Sequence, residues 1–141
     1  GFGGPVPTPG KIDAAAISKA IGHPPEITGD VVKVTIGREG RMHGRPVGGS
    51  MGLTTWAAFT GSDRLAAVTG DVIMTADEVQ PVLRALRQAD FHVVALHNHM
   101  VGEQPAFYFV HFWGKGPAAG LAQGFRRVLD AQSAQVKSAA R

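Results

Sequence analysis

The chain has 141 residues, no cysteine, 44% hydrophobic and 18% charged residues, a balance that suits one globular domain with its own core and excludes a disordered polymer, disulfides and thiolate chemistry. No apolar run approaches the roughly 18 residues of a membrane-spanning helix. The net charge of +3 is scattered, with only Arg38, Arg41 and Arg45 grouped, so nucleic acid is not an expected partner.

Residues 1–10 are dominated by Gly and Pro and read as a flexible leader. The chain does not begin with Met, and a processed mature end, its signal peptide removed, is the expected reading. From there a single domain is expected over 11–130, with a frayed tail over 131–141. Asp13 can cap a helix running to about Ile21, with Ile12 and Ile17 placed as a hydrophobic staple and Gly22 then Pro24 stopping it. Val31 to Ile36 alternates and is β-branched, which predicts a strand, and Gly37 to Gly52 reads as a long loop. Two apolar runs, Leu53 to Thr60 and Leu65 to Met74, meet at Gly61-Ser62-Asp63 and predict a hairpin.

Between Thr75 and Ala89 the residues Val79, Val82, Leu83 and Leu86 share one helical face. Thr75 and Glu78 have capping-box spacing; a later start at Asp77 would put Pro81 in the first turn and free Glu78 to face elsewhere. Phe91 to Met100 and Ala106 to Trp113 are strand-like and joined by 101–105. A last helix from about Pro117 carries Leu121, Phe125, Val128 and Leu129 on one side, and Ala131 to Arg141 loses that pattern. Two successive strand-strand-helix units result. They predict an α+β fold, an antiparallel sheet with helices on one face in two layers. Both faces of the strand from Phe91 are apolar, so the long loop or a second subunit, a homodimer, is expected to cover the far one.

The chemistry-bearing pattern is histidine. Residues two apart on a strand point to one face, so His97 and His99 project together. His111 lies on the neighbouring strand, and its side depends on register: pairing His97 with Phe109 or His111 keeps the three together, whereas pairing it with Val110 turns His111 away. Three imidazoles with an open position suit a zinc ion, with copper the alternative. Met100 points to the opposite face of a regular strand, and Met42 and His43 in the long loop can fold over the site. Glu103 beside His99 and Glu78 at the helix start are the acids that could orient a ligand or take a proton from a metal-bound water, which defines a metal-dependent hydrolase as the catalytic option. Trp56, Tyr108 and Trp113 offer an aromatic platform or simply core, and His23 and His92 read as structural or surface. No phosphate loop, dinucleotide fingerprint or nucleophile elbow is present.

The run from Gly70 through Leu86, followed by Ala95-Leu96-His97-Asn98-His99-Met100, Glu103-Gln104-Pro105 and Phe109-Val110-His111-Phe112-Trp113-Gly114, resembles the LppY/LpqO family of exported lipoproteins. The likeness extends more loosely from Ile12 through Met51-Gly52 to Asp130, and departs from the family at Gln80 and Ala106. It implies export to a periplasmic or extracellular location and groups His97, His99, Glu103, Pro105 and His111 as one motif, without supplying a reaction. Two functions follow as expectations: an extracytoplasmic metal-binding protein, or a non-catalytic module for envelope polymer or protein in which the histidines are structural.

Overall fold

A computed structural model describes residues 3–38, 40–42, 45–48 and 53–139, side chains excepted at 40–42, 47 and 139. In chain order the elements are α1 (Ala14–Ile21), β1 (Glu26–Thr28), β2 (Val31–Gly37), β3 (Gly40–Met42), β4 (Arg45–Val47), β5 (Thr54–Gly61) and β6 (Ala66–Thr75). A 3₁₀ turn (Ala76–Glu78) then leads into α2 (Val79–Gln88), followed by β7 (His92–Asn98), β8 (Glu103–Gln104), β9 (Phe107–Gly116) and α3 (Ala118–Ala139). The Asp13 carboxylate caps α1 by accepting the Ala16 N–H at 3.1 Å. Gly22, at φ 83°, ends it in the left-handed region that glycine enters without a Cβ clash.

Six strands form one antiparallel sheet in the order β1-β2-β5-β6-β9-β7. Its central pair, β6 and β9, is in register from Ala66↔Gly116 to Thr75↔Phe107. Strand side chains alternate. Val68, Val72 and Met74 of β6, with Val110 and Phe112 of β9, therefore face one way and share the main core with Ile17 of α1, Leu86 of α2 and Phe125 and Val128 of α3. Each such side chain contributes roughly 2 kcal/mol by leaving water. The Phe112 ring lies between those of Phe91, at 5.2 Å, and Phe125, at 5.8 Å. All three helices thus contribute to the core on one side of the sheet, and the expected α+β architecture of two strand-strand-helix units is the one found.

The odd-numbered positions look the other way. There Ile73, Phe107 and Phe109 join Leu53 in a second, smaller buried cluster.

Four local expectations change. The stretch read as a long loop contains β3 and β4, which with β8 form a separate sheet in the order β4-β3-β8. Pro46 has no N–H to donate, so β4 is tolerated only at an edge, and β3 finds its other partner in a distant connection. At the second helix the Thr75 start is found, with Glu78 accepting the Thr75 N–H, and the Asp77 start is not; the cap opens the 3₁₀ turn, which leaves Pro81 in the first α-helical turn, where its missing N–H costs nothing. The tail expected to fray continues as α3 to Ala139. It is anchored by Gln132, whose Nε2 donates to the Ile73 carbonyl at 2.6 Å and to Glu78 Oε1 at 2.9 Å. The leader lies against β9, where Lys115 Nζ donates to the carbonyls of Gly4 and Pro5.

Candidate functional site

The histidines reach the helix-free face through the β7–β9 register. His97 pairs with Phe109 and Ala95 with His111, which places His97 and His111 diagonally on one face, one of the alignments the sequence allowed. His111 also faces Asp71 across β6. The Asp71 Oδ1 and His111 Nδ1 atoms are 2.6 Å apart. One strand further, Trp56 pairs with Asp71 and sets its ring edge-on to His111 at 6.3 Å, while Lys33 Nζ sits 4.8 Å from the Trp56 ring centre.

His99 lies just past the end of β7, and its N–H still donates to the Phe107 carbonyl at 2.9 Å. Its Nδ1 is 2.7 Å from Glu103 Oε2. The second Glu103 oxygen accepts the N–H groups of Phe107, at 3.1 Å, and Met100, at 3.3 Å. Glu103 is only 3% exposed, and these donors satisfy a carboxylate that burial would otherwise penalise. His97 completes the set, with Nδ1 3.0 Å from the Asn98 carbonyl.

Register also decides how close the three come. Because Phe109 stands opposite His97, its ring takes up contact with two of the histidines, His97 stacked on it at 5.7 Å and His99 tilted against it at 5.5 Å, while His111 meets the Trp56 ring instead. Among the described residues no three His, Asp or Glu side chains converge closely enough to hold one ion. The expected meeting of His97, His99 and His111 at one point is therefore not preformed. The structure instead brings together two acid–histidine pairs, His99 with Glu103 and His111 with Asp71.

Glu78 is placed elsewhere. It is 2% exposed and accepts both guanidinium nitrogens of Arg38, the Thr75 N–H and the Gln132 amide. Burial raises its carboxyl, but Arg38, Gln132 and Thr75 outweigh that and hold it below the ordinary carboxylate value. Its chemistry is that of a structural ion pair, the reading capping-box spacing already offered. Arg38 also lies 5.5 Å over the Phe107 ring.

In His97, His99 and His111 the ring nitrogen facing a carboxylate or carbonyl is Nδ1. An acceptor there fixes the proton on Nδ1 and leaves the lone pair of the neutral ring at Nε2. That tautomer leaves Nε2 available to ligate a metal or take a proton.

Asp71 was missed as a site residue, although it is the sole charged side chain in the apolar run from Leu65 to Met74. A charge in the middle of a central strand needs a partner, and that was the available signal. Trp56 and Trp113 lie on the open face, where His92 stacks on Trp113 at 5.1 Å, whereas Tyr108 turns to the helix side and borders the main core. Met100 supplies a backbone N–H to Glu103. His43 and the Met42 side chain, expected to fold over the site, lie outside the described residues.

A family model described as Domain of Unknown Function (DUF1259) matches residues 15–131. No curated protein matches the chain, and no solved structure does.

Proposed function

Since the chain belongs to the Domain of Unknown Function (DUF1259) family, a membership that brings no reaction with it, we propose from the geometry that the helix-free face takes up a divalent metal ion through His97, His99 and His111. The observation that carries this reading is the shared anchoring of the three rings: Nδ1 of each meets an acceptor, Asn98 O, Glu103 Oε2 or Asp71 Oδ1. Nε2 is then the free ligand atom on all three. Carboxylate or carbonyl support at the far ring nitrogen is the usual outer shell of a metal-bound histidine.

The rings do not surround a point as they stand, so uptake requires side-chain rotation around Phe109. Imidazole ligands favour zinc, with copper as the alternative. A bound zinc ion would supply Lewis acidity and a water of lowered pKa. The protein's own part is to orient the ligands: Asp71 and Glu103 act as positioning residues. Glu103, with both oxygens already accepting hydrogen bonds, serves better as an orienter of His99 than as a free proton acceptor. Glu78 is left to its pairing with Arg38.

The likeness to LppY/LpqO lipoproteins supports an exported, envelope-side setting. The apolar edge of β7, where Val93, Val94 and Leu96 are exposed, supports a homodimer. A second reading, a non-catalytic polymer-binding module, is favoured by the open-face position of Trp56 under Lys33.

Calorimetric titration of metal-free protein with zinc tests the leading reading. Saturable uptake is expected, lost in His111→Ala and weakened about 10- to 100-fold in Asp71→Asn, the range for a removed outer-shell partner. Absence of saturable zinc or copper uptake, or uptake unchanged in both His97→Ala and His111→Ala, would refute it and leave the binding-module reading. Chelator-sensitive turnover of an ester, amide or phosphodiester panel would assign the site to a hydrolase; uptake without turnover would make it a carrier or sensor.

A further inference from the structure

Away from the histidine face, the C-terminal half of α3 and the ends of β2, β5 and β6 border an open cleft of about 310 Å³. That volume is at the small end of ligand pockets. Ile36, Leu129 and Val136 give it apolar walls, while Ile73 meets Gln132 there through its carbonyl oxygen. Leu129, Gln132, Ser133 and Val136 recur at three- and four-residue spacing, so they share the side of α3 that borders the cleft. Gln132 holds the helix there through the Ile73 carbonyl and Glu78. This polar strut fixes α3 without filling the space beside it.

Charge selects the occupant. Arg38 lines the cleft, but its guanidinium is neutralised by Glu78, whose oxygens are already taken by Arg38, Thr75 and Gln132. Lys137 also lines it and makes no ion pair among the described residues. The cleft therefore offers apolar walls and one uncompensated positive charge. We propose that it binds a small, mostly aliphatic carboxylate, with the chain along Ile36, Leu129 and Val136 and the carboxylate at Lys137. The site is independent of the histidines.

Titration of the intact protein with octanoate, octanol and octylamine tests this. Octanoate is expected to bind saturably, with octanol and octylamine weaker by about tenfold or more, the scale of one favourable charge contact. Ser133→Trp, which places an indole from an exposed position of α3 into the cleft, should abolish binding, and Lys137→Glu should weaken it about tenfold. Both positions are exposed, and thermal melts matching the wild type would show that each variant is folded. The proposal is overturned by the absence of saturable octanoate binding, by octanol binding as tightly as octanoate, or by a folded Ser133→Trp that binds octanoate normally.

Discussion

Burial pushes the Glu78 carboxyl up while Arg38, Gln132 and Thr75 pull it down further, so the folded protein holds this group ionised at pH values where the unfolded chain begins to protonate it. The stability it contributes is present above the unfolded carboxyl value, roughly 4.3, and is lost as pH falls through the lower folded value. Arg38→Met reverses the balance: it strands a carboxylate that is 2% exposed, at a cost of about 3 kcal/mol near neutral pH. Urea unfolding as a function of pH checks this. The variant should lose most stability at neutral pH and the difference should shrink toward acid; equal midpoints at pH 7 would contradict it. The same residue shows what was legible at this scale. Glu78 and Glu103 were recognisable as acids worth attention from their places beside a helix start and a histidine. Their different fates depend on Arg38 and on the Phe107 and Met100 amides, contacts set by tertiary structure. Asp71 went unassigned because its pairing with His111 crosses between strands forty residues apart.

Elements with strong periodicity were readable: α1 between its Asp13 cap and Gly22, the β5–β6 hairpin, α2, and the β7–β9 pair. Those with weak local signal were not. β3, β4 and β8 are each two or three residues long and stabilise one another across long separations, so no local pattern announces them. The end of α3 looked unpatterned because Gln132 holds it by hydrogen bonds that an apolar count does not register. Gly70 belongs to this scale. A Cβ there would lie 2.2 Å from the Trp56 carbonyl oxygen and 2.8 Å from the Phe112 ring, so β5 and β6 pair in their register only while this position lacks a side chain. Gly70→Ala is expected to cost about 3 kcal/mol, the upper part of the overpacking range, seen as a lower denaturation midpoint. An unchanged midpoint would show that the sheet gives way more easily than these distances allow.

For the molecule as a whole, the helices cover one face of the sheet and leave the other to aromatic, histidine and acidic side chains, with β7 exposed at its edge. Val94 is 58% and Leu96 48% exposed on that edge strand, and unpaired strand edges with apolar side chains favour pairing with another strand. Static light scattering is expected to give the mass of a dimer for the wild type and of a monomer for Val94→Lys. A wild type that stays monomeric at high concentration would remove the homodimer from the account. On the open face, the proposed metal site needs three Nδ1-anchored imidazoles to present Nε2 to one ion. Nitrogen-15 NMR of the histidine side chains during a zinc titration tests it most directly. The Nδ1–H tautomer is expected for His97, His99 and His111 before metal is added, and all three Nε2 resonances should be displaced together as zinc is bound. Zinc that leaves those three resonances where they were would contradict it.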